Sequence, residues 1–233
     1  MNLTEIDNSF ALLHIYKSTE SRLQILKQLV EFWHGSILPE DGIPVAEIEN
    51  IQMPQILRWW YEWAGNRPDI MSGQNIFVKP SELQFHQGRV VFHVENQGVY
   101  LWSTLPGGED PPVFGRYSDE QQWIPEGIQL SEHLINTCLF EGLLCHAPYS
   151  ASVSHVSDEK LQELIKVIPP IPIKGWRWSG GSGFYTMRGV FMHVANFEAS
   201  DGIGHSVWVG AKEREALEIV KPFIDETWEH VEV

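Results

Sequence analysis

The 233-residue chain sets 16 basic against 31 acidic side chains, a formal net charge of −15, and is 43% hydrophobic with ten Trp. That much apolar surface supports a core without disulfide staples, while the negative charge works against binding nucleic acid or anionic membrane and favours a basic protein surface. No stretch approaches the roughly 18 apolar residues of a membrane span, and residues 1–7 lack the basic start of a signal peptide, so a cytoplasmic protein is expected.

In chain order, residues 19–33 form the first helix, with Leu23, Leu26, Val30 and Trp33 at helical spacing, Ser18 or Thr19 as cap and Gly35 as its end. Pro39, Gly42 and Pro44 mark a loop carrying Glu40, Asp41, Glu47 and Glu49. Pro54 suits the first turn of a second helix that Gly65 terminates. Its stripe of Leu57, Trp60, Tyr61 and Ala64 should dock on a sheet, with Trp59 and Trp63 extending the stripe or forming a binding surface. A short strand at 75–78 and a turn at 80–83 precede the clearest element, a hairpin over 89–102. There Val90, Phe92 and Val94 alternate with Arg89, Val91, His93 and Glu95, and Asn96, Gln97 and Gly98 interrupt before Val99, Tyr100, Leu101 and Trp102.

Residues 106–112 are the strongest breaker cluster and place Glu109 and Asp110 on an exposed turn. Val113 and Phe114 re-enter the sheet, 117–121 is polar and acidic, and 122–124 suits an edge strand. A helix then opens at Leu130, with Ser131 as cap, and runs to Leu144. The small, polar residues 148–154 suggest a linker, hence two domains, 1–150 and 151–233. Beyond it come a helix from Ser157, stopped by Pro169, Pro170 and Pro172, and short strands at 176–178, 183–187, 190–195 and 206–209. An amphipathic helix at 213–223 and a terminal strand at 228–233 complete the chain. The class expected is α+β, with a mostly antiparallel sheet of about six strands flanked by helices and a C-terminal α+β extension.

The residues that could carry chemistry do not assemble into a motif. Ten histidines are scattered without a close metal-ligand pair, and Cys138 and Cys145, seven apart, suit one face of a helix as reduced core residues. Gly180, Gly181 and Gly183 around Ser182 lack the Gly-Lys-Ser/Thr ending of a phosphate loop and fit a hairpin turn, and neither Ser179 nor Ser182 sits in a nucleophile elbow. Glu109 with Asp110, and Asp119 with Glu120, lie in polar loops without the apolar surroundings that raise a catalytic carboxyl pKa. A non-enzymatic protein without cofactor or metal is expected.

Five pieces in order resemble the SUKH superfamily, in its branch related to the yeast cell-wall assembly regulator. They are Met53-Pro-Gln-Ile-Leu57 through Tyr61 and Gly65, Ile76-Phe-Val78 before Lys79-Pro80, the hairpin from Val91-Phe92 to Trp102, Asp110-Pro-Pro-Val113, and Leu130-Ser-Glu-His-Leu134. The turn from Glu95 to Gly98 departs from the family's Gly-Asp-Gly pattern, and residues 151–233 lie outside the match. The resemblance implies an immunity protein that binds and neutralises a cognate, basic bacterial toxin, a nuclease among the possibilities, with no shared catalytic residues. Candidate partner contacts are then Glu40, Asp41, Glu95, Asn96, Glu109, Asp110, Asp119 and Glu120, with Trp102 and Trp123 as aromatic anchors. A regulatory interaction scaffold, or a small-molecule site near Trp176, Trp178 and Tyr185 on the C-terminal strands, are the alternatives.

Overall fold

The computed structural model describes residues 18–178, 181–199 and 202–232, without the side chains of Ala199 and Gly202. The N-terminal heptapeptide, Ser179 and Gly180 lie outside the described residues. Helix α1, Thr19–His34, is capped by Ser18, whose Oγ accepts from the Ser21 amide at 3.3 Å, and ends at Gly35, where φ is +80°. The chain divides into two compact units, one of them Val30–Glu141 and the other made of the residues on either side of it.

Within Val30–Glu141, helix α2 spans Gln55–Ala64 and buries Ile56, Leu57, Trp60, Tyr61 and Ala64. Pro54 is its N-cap, in extended conformation, and not a member of the first turn. A proline side chain cannot accept a hydrogen bond, so the helix's first amides go elsewhere: Gln55 donates to the Gly108 carbonyl at 3.0 Å and Ile56 to the Glu109 carbonyl at 3.1 Å. The sheet has six antiparallel strands: β1 Asn75–Phe77, β2 Gln84–His86, β3 Arg89–Glu95, β4 Tyr100–Thr104, β5 Pro112–Tyr117 and β6 Ile124–Gln129. Their order is β1-β3-β4-β5-β6, with β2 also paired to β3. Strand β2 follows the turn at 80–82 and has no counterpart in the sequence reading, because three residues are too few to show alternation. Helix α3, Leu130–Glu141, follows β6 directly and packs on β5 and β6, while Trp60 of α2 meets Phe77 of β1 at 5.5 Å between ring centroids. Both helices therefore cover one face of the sheet.

The hairpin of β3 and β4 forms where expected, but its alternation breaks. The register shifts between Val91 and His93, so Phe92 and His93 are both buried, Glu95 follows them inward, and Val94 faces out beside Val91. This is a β-bulge, one extra residue that flips the faces beyond it. His93 enters an aromatic box: Phe77 stacks on it at 4.3 Å, Trp102 at 4.8 Å, and its Nδ1 lies 3.0 Å from Nε2 of His133 on α3. One imidazole donates and the other accepts, which offsets part of the cost of burying two polar rings. On the same inner face the Tyr100 hydroxyl donates to the buried Glu126 carboxylate at 2.8 Å, and Gly115 passes directly over that pair. A Cβ on Gly115 would stand 2.1 Å from Glu126 Oε1 and 2.3 Å from the Tyr100 oxygen.

The second unit has a five-stranded antiparallel sheet in the order β11-β7-β10-β9-β8: β7 Tyr149–Val156, β8 Ser182–Met187, β9 Val190–Ala199, β10 Gly202–Ala211 and β11 His230–Glu232. Residues 148–154 are therefore no linker, since their small side chains (Ala151 among them) are what a close-packed strand needs. Helix α4, Asp158–Val167, is capped by Ser157 and sets Leu161 and Leu164 against Ala151, Val153, Val194, Val207 and Val209. Residues 176–178 form no strand, and the Gly181 amide bonds back to the Arg177 carbonyl, so the glycine-rich stretch leads into β8 and does not join two strands. The helix expected at 213–223 is instead two 3₁₀ runs, Arg214–Ile219 and Lys221–Phe223, separated at Val220; Pro222, lacking an N–H, cannot continue an α-helical ladder. Cys138 is buried and Cys145 exposed, because the chain turns π-helical from Gly142 to His146 and the two no longer share a face.

Burial holds both imidazoles neutral, pulling His133 down to about 3 and lowering His93 as well, with the neighbouring His133 ring adding to the shift on His93. An unfolded chain protonates these rings near pH 6.5 and the folded chain does not, so stability is complete above about pH 6.5 and falls on acidification toward pH 3. Each ring costs about 1.4 kcal/mol per pH unit in that window. The urea midpoint should drop steeply between pH 6 and pH 4, and a midpoint constant across that range would contradict the assignment. Gly115→Ala should destabilise by about 1–3 kcal/mol through overpacking, whereas Gly107→Ala, with nothing within 4 Å of the added Cβ, should stay within about 0.5 kcal/mol. Equal urea midpoints for the two variants would rule out the close approach over Glu126.

Candidate functional site

Several acids proposed as partner contacts belong to the fold. Asp110 is half-buried, and its carboxylate accepts from the Ser131 amide at 2.8 Å and the Ser131 hydroxyl at 2.6 Å, so Asp110, and not Ser131, caps α3. Glu109 next to it is exposed, and its backbone carbonyl serves α2. The loop at 106–110 thus holds the N-termini of two helices, which the sequence could not reveal because both partners are distant in the chain. Glu95 is only 4% exposed and accepts from the amides of Gln97 at 2.9 Å and Val99 at 3.3 Å, locking its own turn. Asp41 accepts from the Leu38 amide at 2.7 Å and from Arg67, whose guanidinium also holds the Asp69 carboxyl down at about 2.

The aromatic anchors fare likewise. Trp102 has no exposed surface and lies in the box around His93, so it cannot reach a partner. Trp123, 6% exposed, is also covered. Glu40, Asn96, Glu109, Asp119 and Glu120 remain exposed. They do not form one patch: the 105–111 connection lies at one end of the sheet, while the β3–β4 turn with Asn96 and the loop with Asp119 lie at the other, where the Ser118 amide bonds to the Val99 carbonyl.

What the structure builds is a groove on the sheet face opposite the helices. Arg116 pairs with Leu101 across β5 and β4, and Leu101 with Val94 across β4 and β3, so three adjacent strands each place one residue in a row. Val91, set on the same face by the bulge, pairs with Gln84 of β2. Together with Val78, Glu82 and His86 these residues enclose a cavity of about 240 Å³. It adjoins a more open trough of about 430 Å³ that shares Val78, Glu82 and Val94 and runs to Asn96, Gln97 and Gly98.

Trp123 braces the rim. Its indole N–H donates to His86 Nδ1 at 3.3 Å, and its ring lies under the Arg116 guanidinium at 4.8 Å. An indole nitrogen can only donate, so His86 Nδ1 is the acceptor and the neutral ring carries its proton on Nε2. Arg116 also donates to the Glu120 carbonyl, while its buried Nε has no hydrogen-bond partner among the described residues. The site offers fixed donors and an apolar floor, an arrangement suited to binding. Sequence analysis missed it: alternation on β5 puts Arg116 outward, but only the bulge on β3 aligns Val91 and Val94 beneath it. Among the described residues no three metal-ligating side chains converge and no helix is long and apolar enough to cross a membrane.

Asp110→Ala should cost about 0.5–2 kcal/mol by uncapping α3, while Glu109→Ala, which removes no side-chain bond, should stay within about 0.5 kcal/mol. Urea titrations of the two variants decide this, and equal losses would mean that Asp110 is no cap. The chain matches no family model, no curated protein and no solved structure.

Proposed function

We propose that this chain is a non-catalytic, acidic binding protein of the immunity class, which covers the basic surface of a cognate bacterial toxin in the cytoplasm. The observation that carries the reading is that the exposed carboxylates of Glu40, Glu109, Asp119 and Glu120 make no hydrogen bond or ion pair among the described residues, on a chain of net charge −15. Exposed, unpaired acids do little for stability, but they raise the rate at which a basic partner arrives. A nuclease must display positive charge to hold phosphates, so an acidic protein competes for that surface directly. The order of elements from Met53 to Leu134, which resembles the SUKH superfamily, supports the same reading, and the α+β class is compatible with it.

The test pairs this chain with the toxin domain encoded beside it. The two should co-purify, and the toxin's activity should fall in their complex. Glu109→Lys, and separately the double change Asp119→Lys with Glu120→Lys, should slow association by on the order of tenfold at low salt, with the difference shrinking as salt screens it. Failure to co-purify would defeat the immunity reading. Co-purification with unchanged association rates would remove these acids from it.

A further inference from the structure

We propose that the groove of Val78, Val91, Val94 and Leu101 is a binding site for an aliphatic residue with a free α-carboxylate, either a free amino acid or the last residue of a peptide. The site is independent of the immunity reading and lies on sheet positions that the acidic contacts do not use. Its floor is four aliphatic side chains, each half-buried, which matches a branched hydrocarbon group. Its volume, about 240 Å³, is below the ~300–1,000 Å³ of pockets for drug-sized ligands, so it has room for one small residue.

The rim supplies the polarity. Arg116 stands at one end of the row Arg116, Leu101 and Val94, its guanidinium fixed over Trp123, with Nη1 donating to the Glu120 carbonyl and Nη2 making no hydrogen bond among the described residues. His86, held through Nδ1 by the same indole, has Nε2–H as its remaining donor. Two donors braced by one buried tryptophan are preorganised for a carboxylate, and a guanidinium is the side chain whose fork fits that group best. Glu82 lines the cavity as well, yet its carboxylate makes no ion pair and no hydrogen bond among the described residues. An unpaired carboxylate on the same cavity as a guanidinium whose Nη2 makes no hydrogen bond among the described residues suits a ligand with both signs of polarity: the α-nitrogen of the bound residue donates to Glu82 while its carboxylate accepts from Arg116 and His86. That nitrogen is an ammonium in a free amino acid and an amide N–H in a peptide. For a peptide, the trough past Val94 toward Gly98 gives the preceding residues a path.

Calorimetric titration of the full chain with L-leucine, N-acetyl-L-leucine, L-leucinamide and a hexapeptide ending in leucine tests the site. Leucine or acetyl-leucine should bind in the millimolar range, the scale for so small a ligand, and leucinamide, without the carboxylate, should not. Tighter binding of leucine than acetyl-leucine identifies the free amino acid as the source; tighter binding of the hexapeptide identifies a peptide end. Arg116→Gln should weaken binding by about 10–100-fold, the scale of a charge-assisted hydrogen bond. Glu82→Gln, at an exposed position with no bonds to lose, should weaken leucine by about tenfold without altering the fold. No saturable heat from any carboxylate ligand, or leucinamide binding as well as leucine, overturns the proposal. Equal binding by wild type and both variants does so too.

Discussion

The bulge between Val91 and His93 sets the rest of the first unit. Without it, strict alternation would put Val90, Phe92 and Val94 inward and His93 and Glu95 outward, and the strand would be an ordinary half-buried ribbon. With it, the strand presents Val90, Phe92, His93 and Glu95 to the helices and Val91 with Val94 to the other face. One inserted residue therefore does two jobs. It delivers an imidazole to His133 inside, and it widens the aliphatic row outside into a groove floor. The inner consequence fixes the bulge in place, because restoring strict alternation would turn His93 outward, away from its partner at 3.0 Å, and bring Glu95 out with it.

The elements legible in the sequence were those specified locally. Helices α1, α2 and α4, the β3–β4 hairpin and the terminal strand follow from caps, stripes and turn residues within a few positions of one another. What was not legible was decided at long range. The role of Asp110 depends on Ser131, and that of Trp123 on His86 and Arg116. An acidic residue in a glycine- and proline-rich loop looks solvated on sequence grounds, and Glu109 is. Asp110 beside it is not, because the Ser131 amide and hydroxyl at the start of α3 both donate to its carboxylate. Composition likewise misled at 148–154, where small polar residues read as a linker and serve as a strand.

The loop at 106–110 shows how such a fold divides its acids. A helix N-terminus carries partial positive charge and unsatisfied amides, so a carboxylate there contributes more than one in open solvent. The loop spends two carbonyls on α2 and one carboxylate on α3, tying both helices to the same end of the sheet. Glu109 keeps its side chain free because only its backbone is needed. The same separation recurs at the β5–β6 loop, where the Glu120 carbonyl takes Arg116 and the carboxylates of Asp119 and Glu120 stay in solvent. In both loops backbone carbonyls hold the structure and leave the carboxylates of Glu109, Asp119 and Glu120 in solvent, while Asp110 alone gives its carboxylate to the fold.

Trp123 shows why a tryptophan can matter for binding without touching a partner. As an exposed anchor it would contribute through its own burial in the interface. Buried, it acts on its neighbours: the indole N–H fixes the tautomer of His86, and the ring face fixes the plane of Arg116. Both side chains otherwise pay rotamer entropy on meeting a ligand, and a guanidinium already stacked has less to lose. The aliphatic floor set by the bulge and the polar rim set by Trp123 arise from opposite ends of the sheet sequence. They meet only because antiparallel pairing places Arg116, Leu101 and Val94 side by side.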